Sequence, residues 1–341
     1  MKLIPKYKYI LALCLILAGV AICYFYQVVY GSNTINEEKT SILIASDVPL
    51  EQWLEGPQAT ALLGNMSSFR LLSKWKKLDS ITAGYYTIEK DMSNNHLVNK
   101  FKGKLQDAAA IRLENMDHIY AMCGRLGRKL KADSAAFADY LMAPSTLASL
   151  QTDPLNLMGF IPPNTYNFYY NTTPAAFLER MVKNYRIFWT PEKEQAAQKI
   201  GLTPKEVIIL ASIVKAETSK NDVAPKIAGL YLNRLRIGMK LDSDPTATYG
   251  KQLPHVDRVT SAHTSVASPF NTYHFVGLPP GPINFPETVY LEAVLQPSSH
   301  AFLFMCAQPG QTGYHNFAKN LSEHSHNAAL YHRWLDANRI H

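Results

Sequence analysis

From Tyr9 to Tyr30 the chain carries no charged residue, and Lys2, Lys6 and Lys8 stand just before that run. As a helix rising ~1.5 Å per residue, the segment is about 33 Å long, enough to cross a bilayer core of roughly 30 Å. Lysines ahead of it and the aromatics Tyr24, Phe25, Tyr26 and Tyr30 at its end suit one span with the C-terminal body outside. A cleaved signal peptide with its core at 10–23 fits the same apolar run, but no small-x-small site follows cleanly. Neither Cys14 nor Cys23 has a small residue before it, as a lipoprotein site would need. The expected order is therefore a cytoplasmic tail at 1–8, a transmembrane helix at 9–30 and a polar linker at 31–40.

Beyond the linker the period of the apolar positions changes. SILIA (41–45) and GYYTIE (84–89) are rich in β-formers and predict strands. Ser93 is placed to cap a helix that carries Leu97, Val98 and Phe101 at helical spacing. Residues 109–113, with a helix after Asn115, loosely repeat this arrangement. Region 41–150 thus reads as a small α+β module with no evident chemical site. From about Leu155 onward Pro, Gly and aromatic residues become dense, and NLMGFIPPNTYNFYY (156–170) is too interrupted by proline for a helix. Thr173 and Pro174 start a helix with Phe177, Leu178, Met181 and Val182 on its apolar face. No internal repeat interrupts the body. The fold class expected is α+β: an N-terminal transmembrane helix, the small module, and a mixed catalytic domain at 151–341.

One helix ends in a way that suggests chemistry. Thr203, Pro204 and Glu206 form a capping box with Pro at the first helical position. The stripe Ile209, Leu210, Ile213 and Val214 then leads to Glu217 on the same face. A carboxylate beside apolar neighbours is poorly solvated when charged, so its pKa rises, as a general acid near neutral pH requires. The bland alternative is a surface glutamate marking a helix end. A second helix, 224–236, is expected to stop at Gly238, and the polar turn 241–246 to double back towards the first. Further irregular loops run through 268–273 and 277–283. Short hydroxyls, an amide and rigid prolines suit a sugar cleft, though each loop alone could be ordinary turn chemistry.

Composition narrows the function classes. Hydrophobic content of 47% and charged content of 18% describe a chain that buries a core. The net charge of +7 is mild, and no basic tract is interleaved with aromatics, so nucleic acid is not an expected partner. Of four cysteines, only Cys123 and Cys306 lie in the body, outside any CxxC pair, and free thiols are expected.

LASIVKAET (210–218), IAGLYLNRLRIGMKLDSDPTATYG (227–250), SPFNTY (268–273) and GLPPGPI (277–283) closely resemble the MltG or YceG-like endolytic peptidoglycan transglycosylases. GFIPPNTYNFY (159–169) and GYHNFAKNLSEHSHN (313–327) resemble further segments of that family, and ITAGYYTIEKDMSNNHLV (81–98) its LysM-like module. The likeness runs in one order over nearly the whole body. It implies a lytic transglycosylase that needs no cofactor and no metal, with Glu217 as its acid and base. It also implies peptidoglycan strands as substrate, an inner-membrane anchor with a periplasmic body, and work beside wall synthases. Ser243, Asp244, Thr246, Ser268, Asn271, Thr272, Tyr273 and Tyr166 are the expected substrate-binding or supporting residues. Ser268, Asn271 and Tyr273 are expected to orient Glu217 or the sugar, and Asp244 to fix its turn or serve as a nucleophile. Lys215, Ala216, Asp242, Asn164 and Met158 depart from the residues common in the family. His315, His324 and His326 are read as non-metal positions, and Glu323 as a weaker rival acid. Two other classes stay open: a hydrolytic muramidase using Glu217 with Asp244, and a non-catalytic wall-binding scaffold.

Overall fold

A computed structural model describes residues 6–114, 116–250 and 261–338. Lys2 and Asn115 lie outside the described residues. Contacts divide the chain into two compact units, one of 1–110 with 129–131 and 167–172, the other holding the rest. The division falls at Ala110, not near 150 where the composition changes. Residues 132–150 belong with the second unit because they form helices that pack there, with Phe137 meeting Phe177 edge to face at 5.8 Å between ring centroids.

The first unit opens with helix α1 (Lys6–Tyr30), followed by β1 (Thr40–Ile44), β2 (Val48–Pro49), α2 (Leu50–Leu54), α3 (Pro57–Leu62) and α4 (Met66–Trp75). It continues through β3 (Ser80–Ile81), β4 (Gly84–Ile88) and α5 (Asn94–Lys102) to β5 (Ala109–Arg112), at its edge. α1 is long and apolar enough to cross a membrane. β1 and β4 pair antiparallel, Ile42 opposite Tyr86, and β2 pairs with β3. Their inner faces, with α2 to α5, close a core of Trp53, Phe69, Tyr86, Leu97 and Phe101. Ser93 caps α5 by accepting from the His96 N–H.

The second unit contains α6 (Ile119–Gly127), α7 (Ser134–Met142), α8 (Pro144–Ser149), a 3₁₀ turn (Leu157–Phe160), β6 (Thr165–Phe168, whose last two residues fall in the first unit), α9 (Pro174–Phe188) and α10 (Pro191–Lys199). Then come α11 (Pro204–Glu217), α12 (Ala224–Arg236), α13 (Asp244–Gly250), α14 (Ser261–Thr264), α15 (Thr288–Leu295), β7 (Phe304–Ala307), β8 (His315–Ala318) and α16 (Leu321–Ala337). α11 runs through the centre, and α10, α12 and α15 pack around it. Residues 207 to 214 are buried on every side, so the helix is apolar all round rather than striped. Its one polar core residue, Ser212, is satisfied: its Oγ donates to the Ile209 carbonyl and accepts from the Ile283 N–H. α12 approaches its neighbours closely at Gly229, where an added Cβ would stand 2.5 Å from the Ser298 carbonyl oxygen. It stops at Gly238, which takes the left-handed conformation at φ +66°.

Candidate active site

The capping box fixes where α11 begins: Thr203 accepts from the Glu206 N–H, and Glu206 accepts from the Thr203 N–H at 2.7 Å. The helix ends at Glu217 because Thr218 turns to extended backbone while its N–H still reaches the Val214 carbonyl. A helix buried from 207 to 214 thus delivers its last side chain, half-buried, to a groove of about 720 Å³.

Two hydroxyls donate to the same oxygen of that carboxyl. Ser243 Oγ lies 2.6 Å and the Tyr231 hydroxyl 2.7 Å from Glu217 Oε1. Tyr231 comes from α12 and Ser243 from the stretch that follows it, which doubles back as its sequence suggests. Burial raises the pKa of Glu217 from 4.5 to about 6; the two donated hydrogen bonds and the Arg234 cation oppose the rise, and Asp244 adds to it. The carboxyl is therefore poised to give and take a proton near neutral pH.

Arg234, also on α12, is buried and sets the geometry of this corner. Its Nη1 donates to the carbonyls of Lys240 and Leu241 and to Asp242 Oδ2, and its Nε to the Leu303 carbonyl at 2.6 Å. Asp242 holds a left-handed backbone at φ +46°, unfavourable for a residue with a Cβ, and the Arg234 contacts keep it there. Just beyond, Thr246 and Thr272 share a 2.8 Å hydroxyl contact, and Thr272 Oγ1 accepts from the Ser243 N–H at 3.0 Å. These two threonines, both buried, fix the backbone that aims Ser243 at Glu217.

Asp244 opens α13 instead of lying in a plain turn, and its Oδ1 accepts from the Tyr273 hydroxyl at 2.6 Å. Burial raises the pKa of Asp244; the Tyr273 bond and His263 hold it back. Tyr273 therefore meets Asp244 rather than Glu217. Asn271 is enclosed in its own loop, donating to the Thr264 and Val266 carbonyls and accepting from the Tyr273 N–H. Ser268 accepts from the Phe270 N–H. Neither side chain hydrogen-bonds Glu217 in this structure. Lys215 points to the other side of α11, donating to Glu287 and the Phe285 carbonyl.

The opposite wall of the groove is β7, β8 and α16, presenting Phe304, Cys306, His315, His324 and Tyr331. None of these was picked from the sequence as a site residue, nor were Tyr231 and Arg234. Glu323, the rival acid, accepts from the Lys319 N–H and Asn320 at the start of α16. Cys123 and Cys306 are both free. Among the described residues no group of His, Cys, Asp and Glu is arranged to hold a metal ion.

Tyr166 lies elsewhere. It lines a second hollow of about 600 Å³ with Met158, Pro162, Asn164, Arg180 and Trp189, and its hydroxyl donates to the Pro162 carbonyl. The proline-rich segment 156–170 thus lines a cleft, one distinct from the Glu217 groove.

A half-buried carboxyl at the end of a central helix, served by two hydroxyls and facing a polar and aromatic groove, is the candidate acid–base site of this α+β protein. Residues 44–330 match the YceG-like family model, and the chain belongs to that family. It is 26% identical over 299 residues to the endolytic murein transglycosylase of Streptococcus pneumoniae (strain ATCC BAA-255 / R6), covering 76% of this chain and 52% of that protein. It is 27% identical over 279 residues to the endolytic murein transglycosylase of Bacillus subtilis (strain 168), covering 76% and 75%. The chain spans about half the length of the pneumococcal relative. A 2.6 Å crystal structure of a yceG-like protein from Listeria monocytogenes shares the fold, with a TM-score of 0.57 and 24% identity over 85% of this chain and 99% of that one.

Proposed function

We propose that this protein is an endolytic peptidoglycan lytic transglycosylase, cleaving the β-1,4 bond between N-acetylmuramic acid and N-acetylglucosamine within a strand. The observation that carries this reading is the Glu217 carboxyl, raised to a pKa of about 6 and held by Ser243 and Tyr231 at the groove. Protonated, Glu217 gives its proton to the glycosidic oxygen as the bond to the muramic anomeric carbon breaks. The muramic 6-hydroxyl oxygen bonds to that carbon, and its proton passes to the Glu217 carboxylate. The enzyme is restored, no water is consumed, and the product carries a 1,6-anhydro end. One carboxyl is enough because the nucleophile belongs to the substrate, unlike the usual carboxyl pair of glycoside hydrolysis.

Asp244 lines the same groove, which keeps a hydrolytic muramidase as the second reading. Its engagement by Tyr273 favours a supporting role. Around this activity we place the rest of the chain: α1 as the anchor in the inner membrane, the body on its periplasmic side, and residues 41–150 as a LysM-like module with its connecting α+β region. The enzyme would trim or end nascent strands beside wall synthases.

The test uses the full chain in detergent micelles with purified glycan strands. Mass spectrometry of the digest is expected to show anhydromuramyl ends, one water lighter than hydrolysed ends, and Glu217→Gln is expected to abolish them with the fold preserved. Hydrolysed ends would establish the muramidase, and full activity of Glu217→Gln would remove Glu217 from the mechanism.

A further inference from the structure

The end of α11 is clamped to the approach of β8. Thr218, next to Glu217, donates from Oγ1 to the Gly313 carbonyl at 2.6 Å and accepts from the Lys220 N–H. Lys220 in turn sets its ammonium 5.3 Å from the centre of the Tyr314 ring. Gly313 takes φ +82°, and a Cβ there would press against Lys220 Cγ at 3.3 Å. From this clamp the chain leads in one direction to Glu217 and in the other to His315. Both side chains line the same groove.

The imidazole of His315 has only one comfortable state. Its Nδ1 is buried and has no hydrogen-bond partner among the described residues. A buried N–H without an acceptor costs more than a buried lone pair, and a buried imidazolium costs more again. Burial accordingly holds the pKa down at about 4. The ring is neutral in the working range, and its single proton sits on Nε2, the ring nitrogen left to meet a ligand in the groove. The pairing of His315 with Ala307 in the β7–β8 ladder fixes the strand that carries this donor.

We propose that His315 is a substrate-orienting residue of the Glu217 site, its Nε2–H donating a hydrogen bond to a neutral sugar oxygen, a hydroxyl or an acetamido carbonyl. An uncharged donor matches uncharged acceptors and leaves the travelling proton to Glu217. The inference rests on the glycan-cleaving reading above and adds a contact to it.

The experiment compares full-length wild type, His315→Ala and His315→Gln in micelles on glycan strands, with thermal unfolding followed for each. His315→Ala is expected to lose roughly 10- to 100-fold in kcat/KM, the range for one lost hydrogen-bond donor near a reacting centre. His315→Gln, which offers an amide N–H in its place, is expected to recover to within about fivefold of wild type. The descending pH limb near 6 should stay in place in both variants. In a Glu217→Gln background, adding His315→Ala should weaken strand binding. If His315→Ala does not fold, His315→Met replaces it as the donorless partner of His315→Gln. Wild-type kcat/KM in a folded donorless variant, no recovery with Gln, or a displaced pH limb would each overturn the proposal. Failure of the underlying reading looks different: wild type then gives no anhydro ends, or Glu217→Gln remains active.

Discussion

Holding Glu217 in this groove strains the charged fold, and the strain is measurable. Its pKa rises from 4.5 to about 6, because burial penalises the charged form more than Ser243, Tyr231 and Arg234 stabilise it. A rise of about 1.5 units corresponds to roughly 2 kcal/mol at ~1.36 kcal/mol per unit. The sign follows from proton linkage: the folded state holds this proton more tightly than the unfolded state does. The proton-linked stability is thus complete below 4.5 and is lost as pH rises through 6. Glutamine is uncharged throughout, and its amide oxygen can still accept from Ser243 and Tyr231. Glu217→Gln should match wild type near pH 4 and exceed it by up to about 2 kcal/mol at pH 8, an upper figure because the side chain is part-exposed. For a unit of this size that is at most about 4–8 °C in Tm. Thermal unfolding of the full chain in micelles, followed through tryptophan fluorescence, reads it, since buried Trp189 reports on the second unit. Equal shifts at both pH values, or a Gln variant less stable at pH 8, would refute the desolvated carboxyl.

Cleavage should fall above pH 6 as Glu217 loses its proton, and Tyr231→Phe should move that limb upward, because the lost hydrogen bond had favoured the charged form; pH profiles of kcat/KM read both. Arg234→Met removes donors to three carbonyls and to Asp242, and is expected to cost roughly 2–4 kcal/mol and most of the activity, by denaturation and digest assays. Gly229→Ala drives a Cβ to 2.5 Å from the Ser298 carbonyl and should lower the Tm of the second unit by several degrees, with α12 shifted rather than unfolded.

What the sequence made legible was local. The Thr203–Glu206 capping box, the Ser93 cap and the Gly238 stop depend on a few neighbouring residues, and each appears in the structure as read. Spacing along α11 placed Glu217 at the end of an apolar run, although the run is buried all round because α10, α12 and α15 enclose it. Asp244 was read as part of a turn, yet it opens α13, since Asp followed by Pro suits a helix start as well as a turn.

The partners of Glu217 were hidden for a different reason. On an amphipathic helix Tyr231 reads as core and Arg234 as solvated surface, and nothing within α12 says otherwise. Arg234 becomes buried only when the carbonyls of 240–241 and 303 close over it, and those come from segments 6 to 69 residues away. His315 is a similar case: its neutral tautomer follows from an enclosed Nδ1, a property of the packed β7, β8 and α16 wall. Periodicity follows neighbours along one element, whereas the proton affinity of Glu217 depends on what two other stretches, α12 and the segment after it, bring within hydrogen-bond reach. The sequence could therefore point to the acid, while the groups that tune it needed the folded chain. For the same reason substitutions at Tyr231, Arg234 and His315 test the site more sharply than substitutions along the buried stripe, where losses of packing and of chemistry would look alike.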